Sequence, residues 1–269
     1  MHIKLFFAAM SLFSLLTLGQ GKATFKDQVI LITGASGDIG LHTTRHFLKE
    51  EASVVAHYGK NAEQLNELKE EYPFHLKLVS ADFRDPNNAK KLWQEALGWK
   101  NCINVVVNSA GISKKSETPA DSLSVSLETM AINYHSPVVI SEAALDHFKK
   151  ENIPGVIINL GSRAAFRGMP EGCYHYSDSK AALTQFTRQL ARDNAKYNIL
   201  AYTVAPGPVE GQMFDQLAPG PRQQSLESMP TKKVVETQEV VNIIDFYASR
   251  KAPSGTGGVF DLMGASWFH

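Results

Sequence analysis

The stretch from Val29 to Gly40 reads VILITGASGDIG and carries the strongest prediction of the fold. Its first five residues are apolar or β-branched, which is typical of a strand buried on both faces of a parallel sheet. Glycines follow at once, and the chain then continues with a helical pattern. A strand that ends in glycines and leads into a helix lets backbone N–H groups approach a pyrophosphate at the helix N-terminus. The alternative interpretation is a tight turn that binds nothing.

Six more short apolar runs follow this strand, separated by longer amphipathic stretches. Alternating strands and helices favour right-handed βαβ connections. We therefore predict an α/β fold with a single doubly wound parallel sheet, a Rossmann fold of about seven strands, and helices on both faces. No internal repeat or interdomain linker interrupts residues 22–269, which we predict to form one domain. The further predicted strands are residues 53–57, 75–79, 103–108, 155–160, 199–204 and 257–262.

The first 21 residues have the pattern of a signal peptide or an N-terminal anchor. Lys4 precedes an uncharged apolar run, 5–18, and the small residues Gly19 and Gly21 follow it. The run is shorter than the roughly 20 residues that span a bilayer as a helix. A buried first helix of the fold is the alternative. We expect the secretory pathway, in the endoplasmic reticulum lumen or at its membrane, or export; a cytoplasmic location is expected if the segment is not a functional signal.

Overall charge and cysteine content narrow the range of partners. Lys plus Arg and Asp plus Glu both number 27, so the charge gives no reason to expect a nucleic-acid partner. The hydrophobic share of 43% is enough for a large core. The two cysteines, Cys102 and Cys173, are too few for a disulfide framework and are interpreted as free thiols. We predict no metal site.

A second stretch, from Gly161 to Leu183, contains a pair of residues suited to acid/base chemistry. A helix after Gly172 would place Tyr176 and Lys180, four residues apart, on one face. An ammonium close to a phenol favours the phenolate and lowers its pKa from about 10, more so beside a charged cofactor ring. The spacing alone is weak evidence, because Tyr247 and Lys251 repeat it where we expect only a surface helix.

Both stretches resemble motifs of the short-chain dehydrogenase/reductase family, and the resemblance extends in order over residues 27–265. TGASGDIG resembles the TGxxxGxG fingerprint, with Asp38 in place of the middle glycine. We expect Asp38 to cap the following helix, turned away from the phosphates. Tyr176 and Lys180 match the YxxxK motif. Asn108-Ser109-Ala110-Gly111 is similar to NNAG.

Further along the chain, Pro206-Gly207 resembles the loop over the nicotinamide, and Gly211 stands where the family often has a Thr. The resemblance implies a catalytic tetrad of Asn133, Ser162, Tyr176 and Lys180. Ser162 would bind the substrate oxygen, Tyr176 would exchange its proton, Lys180 would lower the tyrosine pKa and hold the ribose, and Asn133 would support a water. One residue more than usual separates Ser162 from Tyr176.

The resemblance also implies the cofactor contacts. NAD binders usually carry an acid after the second strand, whereas this chain reads His57-Tyr58-Gly59-Lys60-Asn61. With no carboxylate there, and with His57, Lys60 and Ser36 nearby, NADP(H) is favoured over NAD(H); the alternative is that Lys60 is a solvated charge. The expected cofactor-binding residues are Gly34, Ser36, Asp38, Ile39, Gly40, His57, Tyr58, Lys60, Asp82, Phe83, Asn108, Ala110, Gly111, Tyr176, Lys180, Pro206, Gly207 and Val209.

The predicted function is hydride transfer between the nicotinamide and a small-molecule carbonyl or secondary alcohol. A catalytically idle dinucleotide-binding sensor or scaffold is the alternative. Ser177 and Lys180 spell SxxK, but SDN, KTG and GxSxG are absent, which argues against hydrolases. Within the family the chain resembles 3-oxoacyl carrier-protein reductases about as much as sugar, steroid and small-carbonyl reductases. The resemblance implies a homodimer or homotetramer, and the N-terminus implies possible membrane association.

Overall fold

A seven-stranded parallel sheet forms the centre of the molecule, in the strand order β3-β2-β1-β4-β5-β6-β7. The structure is a computed structural model that describes residues 25–169 and 172–266. It confirms the predicted doubly wound α/β fold. The strands are β1 Val29–Thr33, β2 Ser53–Tyr58, β3 Leu76–Ser80, β4 Val105–Asn108, β5 Gly155–Leu160, β6 Ile199–Pro206 and β7 Val259–Leu262.

Helices cover both faces of this sheet. A π-helical turn, Ala131–His135, lies between the fourth and fifth helices, and short 3-10 turns follow the seventh and tenth helices. The helices are α1 Asp38–Lys49, α2 Glu63–Glu71, α3 Asn87–Lys100, α4 Ser122–Met130, α5 Ser136–Lys150, α6 Ala164–Arg167, α7 Tyr174–Asn194, α8 Gln212–Asp215, α9 Pro219–Glu227 and α10 Thr237–Ala248.

The core consists of two apolar layers, one on each face of the sheet. In β1, Ile30 and Ile32 point into the layer that α1, α2 and α10 cover, whereas Val29 and Leu31 point into the layer under α3, α5 and α7. All five residues of this strand are buried. Burial on both faces explains why the strands read as continuous apolar runs rather than as alternating ones.

The C-terminal Tyr-Lys pair differs from the prediction of a surface helix. Tyr247 is buried, and its ring stacks on Tyr202 with 4.0 Å between centroids. The helix α10 ends at Ala248, so Lys251 lies beyond it. The prediction was wrong because α10 packs against the sheet through this tyrosine. Tyr247 and Lys251 have the same spacing as Tyr176 and Lys180, but they do not lie on one helix.

The strand order creates a crevice at the carboxyl edge of the sheet. From β1 the chain moves outward through β2 to β3, and then crosses to β4 on the other side of β1. The connections that leave β1 and β4 therefore turn in opposite directions, and the space between them is where open α/β sheets bind ligands. The end of β6 reaches Pro206, two residues further than predicted, and brings the following loop to the same edge.

The predicted signal or anchor, residues 1–21, lies outside the described residues. Among the residues that are described, no helix is both long enough and apolar enough to cross a membrane. The predicted boundary between residues 21 and 22 stays a prediction.

Candidate active site

The glycine turn after β1 lies in close contact with the loop after β4. Gly34 has a φ of +65°, and a Cβ there would lie 2.6 Å from the Cα of Ala110. A Cβ on Gly40 would lie 2.2 Å from the carbonyl oxygen of Gly34. The hydroxyl of Thr33 accepts hydrogen bonds from the N–H groups of Ser109 (3.1 Å) and Ala110 (3.2 Å). The turn therefore requires glycine at both positions, and its bare backbone fits the pyrophosphate of a dinucleotide.

His57 has a structural role that the sequence did not indicate. Its Nδ1 accepts a hydrogen bond from the N–H of Gly34 (3.1 Å), and its Nε2 lies 3.0 Å from the carbonyl oxygen of Ala81, to which it donates. The ring stacks on Phe83 at 4.1 Å. Burial lowers the pKa of His57 to about 4. The prediction that His57 helps to attract a 2′-phosphate is wrong, because the ring is buried, neutral and already bonded at both nitrogens.

Positive charge at this end of the crevice comes from Lys60 and from Arg84. Asp82 accepts hydrogen bonds from the backbone N–H of Arg84 (3.0 Å) and from its guanidinium, and these bonds lower the pKa of Asp82 to about 2. The carboxylate of Asp82, one of the expected cofactor-binding residues, is therefore bonded to a neighbouring cation. Lys60 is exposed and close enough to lower the Asp82 pKa further. Arg84, two residues after Asp82, was missed by the sequence reasoning.

The side chain of Asn108 points into the protein interior and not into the crevice. The side chain is buried, and its Nδ2 donates to Ser141 Oγ (3.2 Å) and to Asn159 Oδ1 (2.8 Å). Asn159 in turn donates to Thr187 Oγ1 at 2.8 Å. This buried chain of polar groups joins β4, β5, α5 and α7. Asn159 and Thr187 carry no sequence motif that could have revealed it.

Two members of the predicted tetrad, Asn133 and Lys180, lie against the start of the loop after β4. Asn133 lies in the π-helical turn, where its Oδ1 accepts from the N–H of Ile112 (2.8 Å) and its Nδ2 donates to the carbonyl of Ile112 (2.9 Å) and to Ser179 Oγ (3.0 Å). Lys180 Nζ donates to the carbonyl of Leu160 at 2.7 Å. A Cβ on Gly111 would lie 3.4 Å both from Asn133 Oδ1 and from Lys180 Nζ.

Tyr176 is partly exposed, and its hydroxyl is hydrogen-bonded to Ser162. The ammonium of Lys180 lies 5.9 Å from the centre of the tyrosine ring. Burial raises the pKa of Tyr176, and the bond with Ser162 offsets part of that rise. Burial lowers the pKa of Lys180 to about 8. In the protein without cofactor, desolvation of the phenolate therefore outweighs the hydrogen bond with Ser162. The predicted lowering of the tyrosine pKa includes the charge of the cofactor ring and stays a prediction.

Comparison with known proteins agrees with this arrangement. The sequence model of the family described as short chain dehydrogenase matches residues 28–221. The chain belongs to the short-chain dehydrogenase family. Its members are oxidoreductases that act on CH–OH and C=O groups with NAD(P), so the predicted family and enzyme class are confirmed.

Three relatives show the range of activities named within the family. L-xylulose reductase of Caenorhabditis elegans is 30% identical over 242 residues, which cover 89% of this chain and 96% of the relative. The 3-oxoacyl-(acyl-carrier-protein) reductase of Aquifex aeolicus is 28% identical over 241 residues, 88% and 96% of the two chains. The 3alpha-hydroxysteroid dehydrogenase of Mediterraneibacter gnavus is 27% identical over 246 residues, 90% and 97%.

The two departures from the family pattern touch each other. Asp38 is the first residue of α1 and not its cap, which is Gly37. Its Oδ2 instead accepts a hydrogen bond from the N–H of Gln212 at 2.8 Å. A Cβ on Gly211 would lie 2.4 Å from the carboxylate, and this glycine has a φ of +122°. The expected cap is therefore wrong: Asp38 caps α8, which lies across the crevice, and Gly211 leaves the space for it.

We expect the buried His57 to make stability depend on pH. Its pKa is about 4 in the folded protein and about 6.5 when exposed, so unfolding is accompanied by proton uptake between these values. The free energy of unfolding should be highest above about pH 6.5 and should lose up to about 3 kcal/mol as the pH falls to 4. Urea unfolding of the unmodified protein and of His57→Gln across this range measures the difference. Equal pH dependence of the two proteins would contradict the burial of a neutral imidazole.

The contact between Asp38 and Gln212 predicts a measurable change in local dynamics. Replacing Asp38 by Ala removes the acceptor, and the amide hydrogens at the start of α8 should exchange about 2- to 30-fold faster, as the loss of a cap costs about 0.5–2 kcal/mol. Asp38→Asn, whose side-chain oxygen still accepts, is the matched control. Hydrogen exchange of peptides over residues 208–217 is the measurement. Unchanged exchange in the Ala variant would show that this contact does not hold the segment.

Proposed function

We propose that the chain is an NADP(H)-dependent oxidoreductase that transfers a hydride between nicotinamide and a carbonyl or secondary alcohol of a small molecule. The observation that supports this most strongly is the hydrogen bond between the hydroxyls of Tyr176 and Ser162. The ammonium of Lys180 lies next to the same tyrosine ring. Ser162 follows the carboxyl end of β5, and Lys180 lies against Gly111 in the loop that follows β4. When bound, the nicotinamide ring would supply or accept the hydride at its C4.

The residues have distinct proposed roles in moving the proton. Tyr176 gives its hydroxyl proton to the carbonyl oxygen during reduction, and Ser162 donates a hydrogen bond to the same oxygen. Lys180, with a pKa of about 8, is mostly protonated at neutral pH. Only one of its three N–H groups is bonded to Leu160, which leaves two for the ribose hydroxyls. A positively charged nicotinamide would add the charge that the tyrosine pKa needs to fall.

Asn133 acts in this proposal mainly by positioning its neighbours. Both hydrogens of its amide are already donated, and its oxygen already accepts the N–H of Ile112. The side chain therefore fixes the backbone that follows Gly111, next to Lys180. Only the remaining lone pair of its oxygen is available for the water that the family resemblance implies.

The preference for NADP(H) is supported by the charges around the end of β2. The chain continues from Tyr58 through Gly59 to Lys60 with no carboxylate that would repel a 2′-phosphate. Lys60 is exposed, and Asp82 on the adjacent edge is already paired with Arg84. In this proposal Lys60 is the cation that contacts the 2′-phosphate, and His57 does not contribute.

We expect Tyr176→Phe to lose at least about 10²-fold in kcat, because it removes only the proton donor. Binding of NADPH, followed by its fluorescence, should survive. Tyr174→Phe, an exposed tyrosine in the same helical turn, is the matched control and should keep its activity. A Tyr176→Phe enzyme that keeps more than about a tenth of the unmodified rate would refute the assignment.

The cofactor preference predicts an effect confined to the phosphorylated dinucleotide. Lys60→Ala should lower kcat/KM for NADPH by about 10-fold, the scale of one charge-assisted contact, and leave the value for NADH unchanged. Lys49→Ala, which removes another exposed lysine, should change neither. Equal kcat/KM for both cofactors in the unmodified protein would rule out the preference.

The rival function is an idle dinucleotide-binding sensor or scaffold. Consumption of NADPH with a panel of ketones and aldehydes separates the two, because only the enzyme consumes the cofactor in proportion to the carbonyl compound. Family members act on small molecules and commonly form oligomers. We propose a homo-oligomer here as well, since Leu123 and Leu127, one turn apart on α4, are 69% and 63% exposed.

We also propose that residues 1–21 direct the chain to a membrane or into the secretory pathway. The support is the basic start and the short apolar run in the sequence. Fused to a cytosolic reporter, these residues should move it to the membrane fraction or out of the cytosol. The same fusion with Leu15 and Leu16 changed to Arg is the control. A reporter that stays in the cytosol with the natural sequence would contradict the proposal.

A further inference from the structure

Arg163, the residue that follows Ser162, joins the loop after β5 to the segments that follow β6 and β7. The guanidinium of Arg163 donates from Nη1 to Ser228 Oγ and to Ser266 Oγ, and from Nη2 to Ser225 Oγ, each at 3.1 Å. Two of these serines belong to residues 208–229, the stretch after β6 that we call the lid segment, and the third lies in the turn after β7. The backbone N–H of Arg163 donates to Pro206 at the end of β6 (3.0 Å). The side chain thus starts beside the catalytic serine.

Among the described residues, Arg163 has no carboxylate partner. Within the described part of the chain it forms no ion pair, unlike Arg84 with Asp82 and Arg222 with Asp215. The charged group that affects it most is a second cation, Arg167, and burial lowers the pKa of Arg163 to about 10. The guanidinium is still fully charged at neutral pH. A partly buried cation without an anion is costly, so a ligand that supplies one would be favoured.

Its partners are also suited to an anion. Arg250, another partly buried arginine, donates to the carbonyl oxygens of Gly155 and Asn198, which can only accept. The serine hydroxyls around Arg163 can donate as well as accept. The hydroxyl of Ser228 already donates to the carbonyl of Ser225 (2.7 Å), whereas those of Ser225 and Ser266 keep a hydrogen that can turn toward a ligand.

The count of guanidinium donors indicates the shape of that ligand. Of the five N–H groups of Arg163, both on Nη1 and one on Nη2 are bonded to serines. The N–H of Nε and the second N–H of Nη2 remain. Adjacent donors in one plane fit the two oxygens of a carboxylate.

We propose that Arg163, with Ser225 and Ser266, binds a carboxylate of the carbonyl substrate, so that the enzyme acts on oxo acids or hydroxy acids. This inference rests on the proposed function, since it concerns the substrate of the same site. The bound carboxylate would also tie the lid segment to the loop that carries Ser162, and would hold the carbonyl in place for reaction.

The test compares acids with their methyl esters at saturating NADPH. The probes are 2-oxobutanoate, 4-oxopentanoate and 6-oxoheptanoate, which place the carboxylate at increasing distances from the carbonyl, each with its ester. For at least one pair the unmodified enzyme should prefer the acid by about 10- to 100-fold in kcat/KM, mainly through KM. Esters reduced without any preference for an acid overturn the inference and leave the proposed function intact.

Variants of Arg163 distinguish a residue that binds the substrate carboxylate from one that only stabilises the surrounding segments. Arg163→Gln keeps hydrogen-bond donors without the charge and should reduce the acid preference, the ratio of kcat/KM for acid and ester, to less than about 3-fold. Arg163→Lys should restore part of the preference. Arg167→Gln removes a neighbouring exposed charge and should leave the acid preference unchanged. Equal losses for acid and ester, or equal effects of the two Gln variants, overturn the inference.

Two further measurements cover the remaining outcomes. If Arg163→Gln does not fold, the double variant Ser225→Ala and Ser266→Ala keeps the arginine and should still lower the acid preference about 3- to 10-fold; an unchanged preference overturns the inference. If no carbonyl compound is reduced, the proposed hydride transfer fails. Calorimetric binding of 4-oxopentanoate then decides the inference. Binding to the unmodified protein and not to Arg163→Gln supports the site. Absence of binding to the unmodified protein, or equal binding to both proteins, overturns it.

Discussion

The close approach of β1 and β4 at the carboxyl edge of the sheet is the constraint on which the site depends. It requires a residue without a side chain at Gly34 and a hydroxyl at Thr33 that accepts two N–H groups from the opposite loop. With these contacts the glycine turn and the loop through Gly111 lie on either side of one crevice. Gly111 then leaves room for Lys180 and Asn133, so these two side chains and the glycine turn share the same wall.

Below this wall the protein is held by neutral polar contacts more than by ion pairs. The chain from Asn108 through Asn159 to Thr187 crosses the sheet without a formal charge. The charged side chains next to the crevice, Lys180 and Arg163, are instead bonded to carbonyl and hydroxyl oxygens. Groups of this kind do not neutralise a cation, so Lys180 and Arg163 keep charges that favour anionic ligands. This supports a site that accepts negative charge in both its cofactor and its substrate.

The fold was predictable from the sequence because its signal is local. Each strand is a short apolar run, and the predicted runs match the strands to within two residues at each end. The family motifs also located the residues that gather at the carboxyl edge. Contacts between distant residues were not predictable. His57 reads as a polar residue at a strand end, and only its neighbours Gly34, Ala81 and Phe83 make it a buried neutral ring. Tyr247 likewise becomes a core residue through Tyr202.

The close contact between Asp38 and Gly211 favours one order of substitution when such a pair evolves. An aspartate introduced first would have to turn its carboxylate away from any side chain at position 211, because a Cβ there lies 2.4 Å from the carboxylate, well inside van der Waals contact. A glycine introduced first costs only flexibility, since it is tolerated with or without the acid. The glycine is therefore the permissive step. For the same reason, a lid segment transplanted from a relative with a threonine at this position would need the first turn of α1 transplanted with it.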